Sequence, residues 1–544
     1  MIKYLLLGTG TIVFLAYIAQ MWYNQNYITP ILLNMELHQA DDDNLDSILV
    51  TQTTQGPVLG GRHPNGVIQF ASIPFAQPPL EGLRYASPQP AEPWQGTLDA
   101  THVGPRCVQK DEFYMGTWAG GQSEDCLWLS ISTPALDEQK RPVLVFIHGG
   151  GLHSGGAGEP KYNGAYLAAR GDVVAVAIQY RLGVFGRLDV SHLGGEDVQD
   201  SAENSTLDQL LALQWIQDNI INFGGDPQNV TIYGESAGSY SVATLLQRAE
   251  AEPLFHKSIL MSGVYTLGPA AFNRRDVTAL YMQLLGVTTL GEMQAKSTSE
   301  LLSAQEKLID YATEQGLPDL QALIDLPKPT HDSLRRAGVS GKPLMHGTTK
   351  EEYHFFTLLM PDEDDKERKM AVGYLGGIGL NETQVEELVD IIRQQNPNRA
   401  EKDVYLDTLT AAFMVYPHHI LWREYSSGGA PVYQYLFDWT SPEFPELGAF
   451  HALDLAFFFG SLADDVGTVG KNPPQQLSND MIDALTSFAW TGQPSVPNTD
   501  EWRPYTNESR TVMRFGVPSG VIDDAHLWID EFSETIEAML NTNQ

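Results

Sequence analysis

Five largely apolar runs constrain the fold of this chain more than any other feature of its sequence. Such runs are typical of strands that are covered on both faces, as in a parallel sheet. Between the second and third runs, residues 207–221 carry apolar side chains at helical spacing. Alternation of buried strands and helices predicts a mostly parallel sheet with helices on both faces. The runs span residues 143–147, 173–178, 229–233, 258–261 and 432–437.

The remainder of the chain shows no clear domain boundary. Its 544 residues would allow about three domains. However, we find no internal repeat, heptad run or long linker that would divide it. We therefore expect one large domain over residues 48–544. Residues 272–337 and 362–399 have irregular, charged helical patterns. We expect them to form helical insertions over a site at the carboxyl ends of the strands.

The N-terminal residues predict export and membrane attachment. Residues 4–23 are apolar or uncharged and are about long enough to cross a bilayer as a helix. Lys3 precedes them and no Lys or Arg occurs after them before Arg62, so the positive-inside rule predicts export of the rest of the chain. A poor cleavage match near Ala19 favours an uncleaved signal anchor over a signal peptide. We expect residues 1–23 to hold a periplasmic or extracellular protein at the membrane, with residues 24–47 as a solvated tether.

Charge and cysteine content narrow the classes of function. The formal net charge is −35, with 33 Lys and Arg residues against 68 Asp and Glu residues. No broad basic face is available for a phosphate backbone, which argues against nucleic-acid binding. The two cysteines, Cys107 and Cys126, are either a pair of free buried thiols or one disulfide. Export favours the disulfide.

A catalytic motif comes directly after the third apolar run. Residues 234–238 match G-x-S-x-G between a predicted strand and a predicted helix. A sharp strand-to-helix turn strains the central serine and leaves no room for side chains two positions away on either side. The helix after the turn directs a positive dipole at a developing oxyanion. This placement predicts that Ser236 is a nucleophile.

A second glycine motif comes directly after the first apolar run. Residues 148–151 read His-Gly-Gly-Gly, and glycines there let backbone N–H groups face a substrate carbonyl. A serine nucleophile also needs a base and a carboxylate that orients the base. Where a G-x-S-x-G turn carries the serine, they come after it in the order Asp or Glu, then His. With 14 histidines in the chain, order alone does not select the base.

Several further segments resemble the type B carboxylesterases, a family that includes the cholinesterases. The resemblance extends in order from about residue 49 to near the C-terminus. It implies the α/β-hydrolase fold and hydrolysis of small-molecule carboxylic esters through an acyl-enzyme intermediate, without a metal or other cofactor. The segments that carry it are residues 56–60, 73–79, 123–129, 179–183 and 223–227, followed by the G-x-S-x-G motif.

The resemblance also implies roles for individual residues. The acid lies in residues 347–353 and matches Glu352, although Glu351 replaces the usual Asp and is the neighbouring alternative. The base matches His451. The implied assignments are a triad of Ser236, Glu352 and His451, an oxyanion hole formed by the N–H groups of Gly150, Gly151 and Ala237, and a disulfide between Cys107 and Cys126.

Two other functions are consistent with parts of the sequence. A cholinesterase-like enzyme would use the acidic charge and an aromatic side chain to bind a cationic ester. Trp118 is the candidate aromatic residue for it, and Trp118 and Glu235 are the possible substrate-binding residues of the chain. A membrane-anchored adhesion protein without catalysis is the other alternative, but the chain keeps all three triad residue types. The sequence does not determine acyl or alcohol preference, or oligomeric state.

Overall fold

The computed structural model describes residues 49–110, 118–265, 273–314, 329–360, 364–523 and 528–542. The predicted anchor and tether lie outside these residues, so the division of the chain at residues 23 and 47 stays a prediction. Within the described ranges, no helix combines the length and the apolar character needed to span a bilayer.

The strands are numbered in chain order. They are β1 (Val50–Gln52), β2 (Pro57–Leu59), β3 (Gly61–Arg62), β4 (Ile68–Pro74), β5 (Leu98–Asp99), β6 (Arg106–Cys107), β7 (Gln122–Ser123), β8 (Trp128–Thr133), β9 (Arg141–Ile147), β10 (Val174–Ile178), β11 (Gly225–Glu235), β12 (Lys257–Met261), β13 (Leu344–Thr349), β14 (Val432–Phe437), β15 (Val512–Phe515) and β16 (Gly520–Ile522).

The helices are numbered in the same way. They are α1 (Ala165–Gly171), α2 (Gly183–Arg187), α3 (Asn204–Asn219), α4 (Ala237–Leu245), α5 (Arg274–Leu285), α6 (Leu290–Gln294), α7 (Thr298–Glu314), α8 (His331–Val339), α9 (Lys366–Gly377), α10 (Glu382–Gln395), α11 (Glu401–Thr410), α12 (Tyr416–Ser427), α13 (Leu455–Phe459), α14 (Val466–Val469), α15 (Gln475–Thr491) and α16 (Ile529–Thr542). A π-helical turn, Ala411–Val415, joins α11 to α12.

An eleven-stranded sheet forms the centre of the described structure, in the order β16-β15-β14-β13-β12-β11-β9-β10-β8-β4-β3. The seven strands from β15 to β10 along this order are parallel to one another. The strands outside them pair antiparallel. All five apolar runs lie in the parallel part, as β9, β10, β11, β12 and β14. The prediction of a mostly parallel sheet is therefore confirmed.

Helices cover both faces of this sheet. Alternate residues of β9 enter different apolar clusters, because successive side chains of a strand point to opposite faces. Val145 packs in a cluster with Ile216 of α3, whereas Phe146 packs in a cluster with Phe488 of α15. Each face is thus closed by helices, as the alternating pattern predicted.

The predicted helical insertions are also present. Helices α5 to α8 lie within residues 274–339, and α9 and α10 within residues 366–395. Helix α11 packs against a 3-10 segment, Glu352–Leu359, which begins directly after β13. Helices α9 and α10 pack against α11 in turn, so the second insertion reaches the carboxyl end of the sheet, where the predicted acid lies, through α11.

Candidate active site

Ser236 lies at a sharp bend between β11 and α4. Its backbone has φ +55° and ψ −123°, in the left-handed region that a residue with a side chain rarely adopts. The two motif glycines make the bend sterically feasible. A Cβ on Gly234 would lie 2.4 Å from the carbonyl carbon of Gly238, and one on Gly238 would lie 2.0 Å from the Ile147 oxygen. Ser236 is partly exposed, whereas Glu235 and Ala237 beside it are buried.

The glycine loop after β9 lies against this bend. A Cβ on Gly149 would come within 3.1 Å of the Ser236 Cβ. Gly150 and Gly151 adopt φ of +100° and +61°, and both are partly exposed. Among the residues that the structure describes, their N–H groups donate to no other residue. The loop thus presents near the serine two N–H groups that have no partner among these residues. Ala237, directly after Ser236, is the first residue of helix α4.

The predicted acid and base are in direct contact. The Nδ1 atom of His451 lies 2.6 Å from Glu352 Oε2. The other oxygen of Glu352 accepts the backbone N–H of Thr349 at 2.7 Å. Glu352 is fully buried, and His451 is 7% exposed. Because the carboxylate is fixed from both sides, it holds the imidazole in the tautomer that carries a proton on Nδ1.

The second nitrogen of His451 faces Glu235. Its Nε2 atom lies 3.2 Å from Glu235 Oε1, and this oxygen forms no hydrogen bond within the described part of the chain. The contact is therefore an ion pair without hydrogen-bond geometry. Within the same residues, Ser236 Oγ forms no hydrogen bond to the imidazole. Glu235 precedes Ser236, so the imidazole lies beside the bend and is paired with the neighbouring carboxylate in this state.

The charges around His451 oppose one another. Burial lowers the pKa of His451, but the charges of Glu235 and Glu352 outweigh burial and raise the pKa to about 9. Burial raises the pKa of Glu235 to about 7. Burial, followed by the charges of Glu235 and Glu352, raises the pKa of Asp454 to about 8. These effects favour a protonated His451, and they disfavour simultaneous ionisation of Glu235 and Asp454.

Three neighbours of His451 were not predicted from the sequence. Phe355 and Phe356 place their ring centroids 6.4 and 5.3 Å from the imidazole. Asp454 is fully buried and accepts the hydroxyl of Tyr435 at 3.2 Å. Phe355 and Phe356 lie three and four positions after Glu352, and this proximity is the one sequence feature that could have indicated them as neighbours of His451. Asp454 is a single carboxylate after the histidine, and no motif marks it as part of the site.

Trp118 and Glu235 were the candidate substrate-binding residues. The indole N–H of Trp118 donates to the Gly104 carbonyl at 2.9 Å. A Cβ on Gly158 would lie 2.9 Å from the six-membered ring of Trp118, so the indole packs beside the segment after the glycine loop. Glu235 is buried against His451 rather than open to solvent. A substrate contact by either residue stays a prediction.

The structure contains the Cys107–Cys126 disulfide that the sequence predicted. It joins β6 to the segment before β8, across 19 positions of sequence. Among the described residues, no group of three or more His, Cys, Asp or Glu side chains has the geometry of a metal site.

The fold and the order along the chain of the serine, the glutamate and the histidine define a class of protein, the serine hydrolases with the α/β-hydrolase fold. A family model described as the carboxylesterase family matches residues 47–526. The chain is 35% identical over 481 residues to the para-nitrobenzyl esterase of Bacillus subtilis (strain 168), covering 85% of this chain and 94% of that one. It is 33% identical over 517 residues to the liver carboxylesterase of Sus scrofa, covering 84% and 88%.

Solved structures agree with these relatives. A carboxylesterase from Geobacillus stearothermophilus, at pH 6.2, superposes with a TM-score of 0.76 at 31% identity, covering 89% of this chain and 99% of that one. A thermophilic PNB esterase gives a TM-score of 0.76 at 32% identity, covering 90% and 99%. The chain belongs to the carboxylesterase family and is a carboxylic ester hydrolase.

Proposed function

We propose that Ser236, His451 and Glu352 form the catalytic triad of this ester hydrolase. The supporting observation is the 2.6 Å contact that joins Glu352 to His451, beside the strained turn that carries Ser236. In this proposal the imidazole accepts the hydroxyl proton as Ser236 attacks the ester carbonyl. The alcohol leaves with that proton, and water then hydrolyses the acyl-enzyme with the same imidazole as base.

The N–H groups of Gly150, Gly151 and Ala237 stabilise the tetrahedral intermediate in this mechanism. The N–H groups of the two glycines, which have no acceptor among the described residues, and the start of α4 support this role, because fixed donors cost no reorganisation when charge develops. Glu352 stabilises the imidazolium that forms. Glu235 faces Nε2 in the free site, and the imidazole must therefore exchange that ion pair for Ser236 when a substrate binds.

Replacement of the proposed nucleophile tests this function. We expect Ser236→Ala to lower kcat for a short-chain ester by on the order of 10⁴-fold or more. Ser299→Ala, at an exposed position of α7, serves as the matched control. Circular dichroism should show that both variants are folded. Ester hydrolysis by Ser236→Ala at the wild-type rate would reject the proposed nucleophile.

The cholinesterase-like alternative concerns the alcohol group of the substrate. We propose neutral esters, because the ring of Trp118, the candidate indole for a cationic alcohol, is partly buried and packs near Trp128 and against Gly158, which cover part of its surface. A choline ester should be compared with its uncharged isostere, in which a tert-butyl group replaces the trimethylammonium group. Equal kcat/KM values support the proposal. A clear preference for the choline ester would support the alternative.

We also propose that the protein is exported and held at a membrane by residues 4–23. The distribution of Lys and Arg and the disulfide support this location. Cells that produce the full chain, or a form without residues 1–47, should be separated into membrane and supernatant fractions. We expect the full chain with the membranes and the shortened form in the supernatant. The full chain in the supernatant would contradict membrane attachment.

A further inference from the structure

The carboxylate of Glu351 joins the segment that carries the acid to the loop that carries the histidine. The N–H of Glu351 donates to the Ala449 carbonyl at 2.9 Å. In return, Glu351 Oε2 accepts the N–H of Ala449, also at 2.9 Å. Glu351 precedes Glu352, and Ala449 lies two positions before His451. These two hydrogen bonds therefore fix the two segments directly beside Glu352 and His451, which must be in contact.

The histidine loop fits closely around this carboxylate. Gly448 has φ +66°, and a Cβ at this position would lie 2.8 Å from both Cδ and Oε2 of Glu351. A residue with a side chain would therefore clash with the carboxylate as well as strain the backbone. The glycine allows the loop to approach until Ala449 reaches Oε2.

Cations hold the other oxygen of Glu351. A guanidinium nitrogen of Arg399 lies 3.6 Å from Oε1, and the ammonium of Lys350 lies 4.0 Å from it. Arg399 is itself held by two hydrogen bonds to Asp407, at 2.8 and 3.1 Å. Glu351 is only 7% exposed, and burial raises its pKa. The side chain is thus fixed in one orientation, with Oε1 towards the cations and Oε2 towards the loop.

We propose that Glu351 is a positioning residue for catalysis, which holds the Gly448–His451 loop so that the imidazole meets Glu352. This inference rests on the proposed triad. Glu351 does not touch the imidazole, whose Nδ1 atom contacts Glu352. Glu351 acts indirectly. Its hydrogen bonds position the backbone of Ala449, and that backbone determines how His451 is oriented for the reaction. Misplacement of a catalytic group by about 1 Å can cost on the order of 100-fold in rate.

Two variants of similar volume separate the hydrogen bond from simple packing. Glu351→Gln keeps an oxygen that can accept the Ala449 N–H, whereas Glu351→Met fills the space without an acceptor. We expect Gln to keep kcat within about threefold of the wild-type value. We expect Met to lower kcat by roughly 10-fold to 100-fold, with KM within about twofold, because only the alignment of the base is lost.

The matched control is Glu424→Met. Glu424 is also 7% exposed and pairs with Arg335 at 2.8 Å, but it lies on α12 and contacts none of the triad residues. It should lose thermal stability without a specific loss of kcat. Equal losses of kcat in Glu351→Met and Glu424→Met would overturn the proposal. So would an unchanged kcat in Glu351→Met, or equal losses in the Gln and Met variants of Glu351.

Gly448→Ala disturbs the same contact from the opposite side and is the deciding variant if Glu351→Met does not fold. Its control is Gly429→Ala, since Gly429 has φ +98° and open space around a Cβ. We expect the same selective loss of kcat in Gly448→Ala but not in Gly429→Ala. A wild-type kcat in Gly448→Ala would reject the role of Glu351.

Labelling of wild-type Ser236 by a fluorophosphonate keeps the two proposals distinct. A labelled serine with no effect of these variants rejects the positioning role and leaves the triad intact.

Discussion

At the scale of single residues, His451 is the most constrained side chain of the site, because carboxylates face both of its ring nitrogens. Glu352 binds Nδ1 at 2.6 Å, and Glu235 lies 3.2 Å from Nε2. A base must be neutral at Nε2 before it can accept the serine proton. The ion pair with Glu235 stabilises the protonated imidazole and so works against the base at low pH. The two groups titrate together, and a pH profile reports the pair.

Glu235→Gln should shift the acidic limb of the kcat/KM profile to lower pH. The pKa of His451 is raised to about 9, and after the opposing effect of burial the charge of Glu235 is the largest contribution. Removal of that charge lowers the pKa, so the neutral base is present at a lower pH. The measurement is kcat/KM for a neutral ester between about pH 5 and 10.

The control for this variant is Glu443→Gln, which removes an exposed carboxylate that does not act on His451. Its acidic limb should coincide with that of the wild-type enzyme. If Glu235→Gln leaves the limb in place or moves it to higher pH, Glu235 does not set the protonation of the base.

At the scale of elements, each proposed catalytic group comes after a strand of the parallel part of the sheet. The glycine loop begins after β9, Ser236 lies after β11, Glu352 lies after β13, and His451 lies in the connection after β14. The carboxyl ends of parallel strands lie at one edge of a sheet, so these groups meet although they are distant in sequence. The loops then determine the precise contacts.

The backbone of the glycine loop should be intolerant of a side chain at position 150. A Cβ on Gly150 would lie 2.3 Å from the Ser154 carbonyl oxygen, so Gly150→Ala must displace the loop and its N–H groups. We expect kcat to fall by roughly 100-fold to 1000-fold, as for removal of one oxyanion donor. Steady-state kinetics with a short-chain ester measures the effect.

Gly66→Ala is the control that introduces backbone strain without displacing the glycine loop. Gly66 has a similar φ, +93°, but nothing lies within 4 Å of a Cβ there. Its kcat should stay close to the wild-type value. A Gly150→Ala variant with wild-type kcat would mean that the loop does not donate to the oxyanion.

The sequence predicted the strands whose residues are mostly apolar. Residues 432–437 match β14, and residues 258–261 lie within β12. Strand β13 was missed because its six residues include His346, Thr348 and Thr349, although every one of them is buried. Burial of such a strand depends on tertiary neighbours, such as His418, whose Nδ1 lies 3.1 Å from that of His346, and a periodicity pattern does not show them. The acid and the base were predicted only by resemblance, since no local pattern selects one glutamate or one histidine.

The contacts around the base depended on tertiary structure. Glu351 and Glu352 were alternatives in sequence, and the structure gives them different contacts, with the Ala449 backbone and with the imidazole. The pairing of Glu235 with His451 joins residues more than 200 positions apart. Neither contact can be deduced from spacing along the chain.

At the scale of the whole molecule, the sheet forms a core closed by helices on both faces, and the disulfide ties the segment that precedes β8 back to β6. Loss of the Cys107–Cys126 bond should lower the free energy of unfolding by about 3 kcal/mol, because a closed loop of this length restricts the unfolded chain. The test is urea denaturation of a variant in which both cysteines are serine.

Wild-type protein denatured with a reductant should match the double serine variant, since both lack the same bond. A change in the free energy of unfolding below about 1 kcal/mol in both samples would show that the bond contributes little to stability. Agreement between the two samples excludes an effect of the serine side chains themselves.

Ser236 is the proposed nucleophile of this ester hydrolase, and covalent labelling identifies the serine that reacts. The wild-type protein is treated with a fluorophosphonate, the adducts are counted by intact mass, and the modified residue is located by peptide mapping. We predict one adduct per chain, on Ser236, with loss of ester hydrolysis in proportion to labelling. An adduct on another residue, or full inhibition with Ser236 unmodified, would contradict the claim.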